Sequence, residues 1–403
     1  MAKKKEKKWC HFRHLVVISM MRIIMWPILR FKYGFHYKKF QHDKRNYLIL
    51  FNHQTTQDQF FVGYLFKNKT YYVTSDDFTT IPFVSWVLKV LVHIIPYKKA
   101  STDFGILKNC KQVASENGNI AIAPEGNRCY SGKTGYINPT IAKMIKFLKL
   151  PVAFTLIKGG FGVMPRFSKK PRRGRCTCEV TRVWEYDEYK DLSYEEMYEV
   201  IKKEMWLDES VPDNKFTSKR KAEFLERVIY LCPNCGVVHF VSHGDILECP
   251  KCGAKLKYTD YKQFEVVDAN FSFKNVSDWY DYQRKELFKL NMLELDKNVP
   301  LFSDKIEFYE VVPRKAKKKI SLDANIEFYP NRLEISYDDK KLILTLDEIN
   351  SSGVFGDNKV NFFTDNHIYQ IKYDDRFNGL KYVQYYYKYK MDKGENDEQF
   401  FGI

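Results

Sequence analysis

A histidine and an aspartate five positions apart, His53 and Asp58, follow directly on the apolar run Tyr47-Leu-Ile-Leu-Phe51. A carboxylate that holds one nitrogen of an imidazole leaves the other to take a proton from a hydroxyl, so the pair suits general-base chemistry. In a continuous helix, at about 100° per residue, the two side chains would sit roughly 140° apart and could not touch. His53 therefore belongs in a strand-to-helix turn, with Asn52, Thr55 and Thr56 as cap residues and Asp58 in the first helical turn. The plainer reading is a helix cap beside a surface carboxylate. A second apolar run, Asn119-Ile-Ala-Ile-Ala, leads into Pro124-Glu-Gly-Asn-Arg128. There Gly126 allows close backbone approach, and the guanidinium fork of Arg128 matches a phosphate.

Together the two blocks resemble the 1-acylglycerol-3-phosphate (lysophosphatidic acid) acyltransferase family of the glycerolipid acyltransferases. Its Asn-His-x4-Asp motif is matched by Asn52, His53 and Asp58, and its Glu-Gly-Thr-Arg motif by Glu125, Gly126, Asn127 and Arg128, with Asn in place of Thr. A second block, which usually ends Asp-Arg, corresponds loosely to Ile95-Pro-Tyr-Lys-Lys99, where Lys98 replaces the Asp and Lys99 the Arg. The fourth, an apolar strand led by Pro, fits Leu150-Pro-Val-Ala-Phe-Thr-Leu156, so the likeness spans residues 10–205. The resemblance implies transfer of a fatty acyl group from acyl-CoA or acyl carrier protein to a lysophospholipid hydroxyl, in phospholipid synthesis. It makes His53 the general base and Asp58 its orienting partner, and gives the acceptor phosphate to Glu125, Gly126, Asn127 and Arg128, with Lys99 in support. Direct attack by the hydroxyl needs no nucleophilic thiol, so Cys129 reads as packing.

Two Cys-x-x-Cys pairs, Cys232/Cys235 and Cys249/Cys252, are each followed by glycine, at Gly236 and Gly253. This is the knuckle spacing of a zinc ribbon with four thiolates closing a structural site, His239 and His243 being alternative ligands. The remaining Cys are scattered, which does not suit a secreted disulfide framework and favours a reducing cytosolic setting.

The elements that must position these groups can be read from periodicity. Strands over 47–51, 70–74, 93–97, 119–123, 152–157 and 176–184 alternate with helices over 82–92, 102–116, 139–148 and 194–205, an α/β sheet flanked by helices. Sites in such sheets gather beyond the carboxyl ends of strands. The loop over 158–175 is rich in Gly and cations. It reads either as solvated or as a contact for anionic lipid or a donor's phosphates, with Phe161, Met164 and Phe167 on the membrane. Beyond 302 the pattern is of alternating strands closed by a helix at 379–388, a layout similar to pleckstrin-homology-like domains. The expected divisions are 1–40 membrane-interface segment, 41–206 acyltransferase domain, 207–227 linker and helix, 228–260 zinc ribbon, 261–300 helical connector packed by Trp279 and Leu287, and 301–403 β-rich domain.

With 403 residues, 44% hydrophobic and 29% charged, the chain is globular rather than disordered, and its net charge of +16 calls for anionic partners. An apolar stretch over 15–29, broken by Arg22 and Pro27, falls short of the roughly 20 residues of a membrane span and lacks a signal-peptide cleavage site. With Trp26, Tyr33, Phe35 and Tyr37 among cations, it reads as an interfacial helix on anionic lipid, placing the protein peripherally or monotopically on the cytoplasmic face; the alternative is a soluble packing helix. Nucleic acid is not the expected partner. The rival function is an inactive acyltransferase scaffold serving as a zinc-ribbon adaptor for protein or nucleic acid.

Overall fold

The run Leu48–Phe51 is buried on both faces, as an unbroken apolar strand must be, and it forms the centre of the first sheet. The architecture is that of a computed structural model, which describes residues 8–40, 44–75, 94–97, 104–312 and 317–395. The strands of this sheet are β1 (Phe35–Tyr37), β2 (Leu48–Phe51), β3 (Thr70–Ser75), β4 (Ile95–Tyr97), β5 (Asn119–Ile122), β6 (Val152–Lys158) and β7 (Cys176–Trp184). Their order is β1-β7-β6-β2-β5-β3-β4, parallel throughout except where β6 meets β7. Leu48, Leu50, Ile120 and Phe154 share one buried cluster with Cys110 and Val113, Ile141 and Ile145, and Met197 and Ile201. Those pairs lie on helices Phe104–Ser115, Thr140–Leu148 and Tyr194–Met205 respectively. The last helix begins with a capping box, Ser193 Oγ accepting from Glu196 N and Glu196 Oε2 from Ser193 N. The predicted helix over 82–92 lies outside the described residues.

Three parts of this unit differ from the sequence reading. Phe35–Tyr37 is an edge strand parallel to β7, and Tyr33 and Phe35 are buried rather than placed among headgroups. The loop after β6 is neither solvated nor membrane-facing at Phe161, which is buried, and Phe167, on a segment that belongs to the second unit, is buried as well. Its turn needs glycine: Gly159 has φ +83°, and a Cβ there would stand 2.1 Å from the Arg175 carbonyl oxygen. Glu209 closes the same turn by accepting from the Gly159 and Phe161 N–H groups. Thirdly, the apolar N-terminal stretch is longer than expected. Helix α1 (Phe12–Pro27) continues through a wider turn at Ile28–Lys32, making 21 residues, long and apolar enough to cross a membrane.

A second compact unit comprises Ser210–Ile403 together with two segments from earlier in the chain, Tyr130–Tyr136 and Pro165–Lys170. Its first part is an antiparallel ribbon of Val241–His243, Ile246–Glu248, Lys255–Tyr258 and Phe264–Asp268. The helix expected near residue 221 is a single tighter turn, Leu225–Arg227. Helix Val276–Lys289 buries Trp279 and Leu287, as predicted. Trp279 is ringed by Phe240, Phe264, Phe271 and Phe273 at 4.9–5.5 Å between centroids, and its Nε1 donates to the Leu231 carbonyl at 3.0 Å. Seven antiparallel strands from Phe302 to Lys372 follow, and helix Leu380–Asp392 closes them with its residues from Leu380 through Lys390 all buried. That is the expected layout of a β-rich C-terminal domain.

Trp279→Ala should cost about 3–5 kcal/mol, because it opens a cavity inside a ring of aromatics and orphans the Leu231 carbonyl. Phe288→Ala, on the exposed side of the same helix, should change stability by about 0.5 kcal/mol or less. Urea unfolding of both variants followed by circular dichroism measures the difference.

Candidate active site and metal centre

At the carboxyl end of β2 the backbone turns into the short helix Asp58–Gly63, and the Asp58 carboxylate organises the turn. It is 1% exposed. Oδ2 lies 2.8 Å from His53 Nδ1 and accepts Gln54 N at 2.7 Å, while Oδ1 accepts Thr55 N at 2.9 Å and Thr55 Oγ1 at 2.7 Å. The ionised carboxylate fixes the imidazole proton on Nδ1, leaving a lone pair on Nε2. The His53 side chain is 28% exposed, enough to meet a substrate. Asp58 is thus a buried organiser of the turn, unlike the surface carboxylate of the plainer reading.

Asn52 is not a cap. Its side chain pairs reciprocally with Ile157 on β6, Nδ2 donating to the carbonyl at 2.8 Å and Oδ1 accepting from N–H at 2.7 Å, which carries the sheet ladder one residue beyond the strand. None of the expected residues caps the helix, whose N-cap is Gln57; Thr55 Oγ1 instead accepts Gln57 N at 2.9 Å and shapes the turn ahead of it.

The second block reaches the same place from the neighbouring strand β5. Glu125 Oε1 accepts the His53 N–H at 2.9 Å, and the His53 carbonyl accepts the Cys129 N–H at 2.9 Å, so the Glu125 turn is stapled to both backbone groups of His53. Gly126 sits at φ +68° with its N–H on the Ala123 carbonyl, and a Cβ there would meet nothing within 4 Å. Gly126 is exposed, and Asn127 and Arg128 are partly exposed. The structure therefore brings together His53, Asp58, Glu125, Gly126, Asn127 and Arg128. Lys99 lies outside the described residues. The staple role of Glu125 is invisible in sequence, because it depends on β2 and β5 being neighbours. Burial pushes the Cys176 and Cys178 thiols well above their ordinary range; with Cys129 also buried, none has the exposed, electropositive surroundings of a reactive thiolate.

In the second unit the four cysteines converge as predicted. Sγ of Cys232 and Cys252 are 3.7 Å apart, those of Cys235 and Cys249 3.6 Å, and all four lie within 4.8 Å of one another. Tetrahedral zinc with bonds of about 2.3 Å sets sulfurs about 3.8 Å apart, so the thiols fit such an ion. Each knuckle repeats one pattern: Gly236 N donates to the Cys232 carbonyl and Cys232 N to Val237, Gly253 N to Cys249 and Cys249 N to Ala254. Glycine is required at both corners, with φ +69° and +75°. The Ala254 N–H and then the Asn234 side chain pull Cys252 down to about 6, whereas burial pushes Cys232 up to about 12. His239 and His243 do not belong to the cluster.

The sequence model of the acyltransferase family matches residues 33–155, the stretch that holds both blocks. Residues 33–155 are thus similar to the acyltransferase domain of that family. No curated protein matches the chain in sequence. Among solved structures, the 1-acyl-sn-glycerophosphate (LPA) acyltransferase PlsC from Thermotoga maritima is similar at 16% identity with a TM-score of 0.40, over 47% of this chain and 78% of that one. Inner Membrane Complex Sub-compartment Protein 3 from Toxoplasma gondii is similar at 17% identity with a TM-score of 0.19, over 27% of this chain and 87% of its own.

Metal analysis of the purified chain should find one divalent ion per molecule, and Cys249→Ser should remove it, since three thiolates no longer close the shell. The ion should be retained at pH 7 and lost on acidification, as protons compete for the thiolates. Elemental analysis after dialysis at each pH is the check.

Proposed function

We propose that the acyltransferase domain moves a fatty acyl group from an acyl thioester to the free hydroxyl of lysophosphatidic acid or a related lysophospholipid at a membrane surface. The observation that carries this reading is the His53–Asp58 pair, with Nε2 free, stapled through Glu125 to the turn that bears Arg128. Nε2 takes the hydroxyl proton as that oxygen attacks the thioester carbonyl. The carbon–sulfur bond then breaks, and the imidazolium returns the proton to the leaving thiolate, giving an ester and a free thiol. Asp58 favours the imidazolium between these steps. Arg128 and the exposed backbone at Gly126 and Asn127 bind the acceptor phosphate, with Lys99 as a further cation. Glu125, itself an anion, contributes by holding the turn rather than by meeting phosphate. The donor is acyl-CoA or acyl carrier protein.

The N-terminal helix supports a monotopic placement, on a leaflet we take to be the cytoplasmic one. Although long enough to span a bilayer, α1 uses one side for the protein: Arg22 donates to the Gly63 carbonyl at 3.0 Å and to that of Phe66, and His14 Nδ1 lies 3.0 Å from the Tyr71 hydroxyl. A helix so engaged cannot be ringed by lipid. Its other side exposes Phe12, Val16, Ile23 and Phe31, the apolar face of a helix lying in the interface. The ion of the ribbon is zinc, in a structural role, since four cysteines leave it no open position for chemistry.

Steady-state acyl transfer with a panel of lysophospholipids tests the reaction. His53→Ala should lower turnover by about 10²- to 10⁴-fold at near-normal acceptor affinity, whereas Arg128→Ala should raise the acceptor KM and keep turnover at saturation. A His53→Ala protein within a few fold of the parent overturns the mechanism. For the membrane, Ile23→Glu with Phe31→Glu should leave thermal unfolding unchanged and release the protein from anionic vesicles in a sedimentation assay.

A further inference from the structure

The chain does not return to the first unit directly after Arg128 and Cys129. The next residues, Tyr130–Tyr136, are part of the second unit, and Ile137 resumes the first. Helix Val276–Lys289 holds this segment at two successive positions. The ring of Tyr130 lies parallel to that of Tyr280, 7° between planes and 6.4 Å between centroids, and the Arg166 guanidinium stands 3.9 Å from the Tyr130 ring on the other segment the unit takes in. Next along the helix, Asp281 Oδ2 binds Lys133 Nζ at 3.1 Å. Tyr130 and Arg166 are each 4% exposed, so this is a packed seat rather than a surface contact.

The seat is itself tied to the cysteine ribbon by buried hydrogen bonds. Tyr280 Oη accepts from Gln384 Nε2 at 3.1 Å, and Gln384 Oε1 accepts from the Tyr230 hydroxyl at 2.6 Å. Gln283, one turn along from Tyr280, accepts the N–H groups of Tyr230 and Leu231 at 2.6 and 3.1 Å and donates to the Val228 carbonyl at 3.1 Å. Leu231 immediately precedes Cys232. A contiguous set of packed and hydrogen-bonded groups thus runs from the first knuckle to Tyr130, two residues from Arg128, the kind of path along which coupling is physically carried.

We infer that Tyr280 and Asp281 are positioning residues for the acyl acceptor: by seating Tyr130 and Lys133, the second unit sets the conformation of the turn that carries Arg128. This gives the appended ribbon and helix a task in the reaction without contact with substrate or reacting atoms. The inference rests on the reading of the Arg128 turn as the acceptor phosphate site. It requires that loosening the seat act on acceptor binding while leaving the His53–Asp58 pair, and hence turnover at saturation, intact.

The test uses the full-length, metal-loaded chain. Tyr280→Ala should raise the acceptor KM about fivefold or more, the lower end of common coupling between sites, with kcat and donor KM within about twofold. Tyr280→Phe keeps the ring and should restore the parent KM. Hydrogen exchange of peptides covering 125–136 should quicken in Tyr280→Ala and not in Tyr280→Phe. Should Tyr280→Ala fail to fold, the partly exposed ion pair takes its place: Asp281→Lys and Lys133→Asp should each raise the acceptor KM, and the double exchange should bring it back. Faster exchange with an unchanged acceptor KM, or equal loss of kcat and of acceptor and donor affinity, overturns the inference. A parent without acyl transfer to any lysophospholipid defeats the functional reading instead. Exchange then decides the seat alone, and unaltered protection of 125–136 overturns it.

Discussion

The Asp58 carboxylate is the charge on which the site depends. Stripped of water, an isolated carboxylate is strongly unfavourable, and the turn compensates by aiming the His53 ring N–H, two backbone N–H groups and the Thr55 hydroxyl at its two oxygens. Each such bond to a charged group is worth about 1.5–3 kcal/mol, so the turn has one stable conformation rather than several. The bonds that fix the imidazole tautomer are the same bonds that shape the backbone around it. Chemistry and local folding are therefore one set of contacts here.

A turn organised from within still has to be placed, and the parallel sheet does that. Asn52 continues the β2–β6 pairing with its amide, and Glu125 and Cys129 take up the N–H and carbonyl of His53 from the β5 side. By register Leu50 of β2 lies beside Ile122 of β5, so the two strands end within a residue of each other. The candidate general base and the candidate phosphate turn are consequently parts of one backbone-bonded structure. Glu125 is better understood in that light than as a ligand for an anion of its own sign.

The cysteine ribbon at the start of the second unit shows how a stretch with little regular secondary structure becomes ordered. Two knuckles of identical hydrogen bonding face each other across four sulfurs, one tryptophan is enclosed by four phenylalanines, and a single buried glutamine, Gln283, satisfies three backbone groups ahead of the first cysteine. Each device replaces extended secondary structure in a stretch whose strands are only three to five residues long. The closing helix works otherwise: its row of tyrosines is buried but keeps hydroxyls paired, Tyr386 with the Ile349 carbonyl and Tyr387 with that of Ser352.

The sequence by itself singled out the candidate site residues and most of the elements that carry them. Local signals were sufficient for this: unbroken apolar runs for interior strands, a histidine and a carboxylate at a spacing that forbids one helix, and paired cysteines each followed by glycine. Lys99 and the helix over 82–92 fall beyond the described residues, so that part of the reading stands as sequence alone. What only the tertiary structure decided were relations between distant stretches. Phe35–Tyr37 carries an interfacial pattern locally but finds a parallel partner in β7, 141 residues away by register with Cys176. The cationic loop after β6 is drawn inward at Phe161 because Glu209, far along the chain, accepts its N–H groups. Tyr130 follows Arg128 by two residues yet packs on Tyr280. Composition and periodicity report the environment a segment can tolerate, whereas the partner that supplies that environment is fixed by chain topology, which no local pattern encodes.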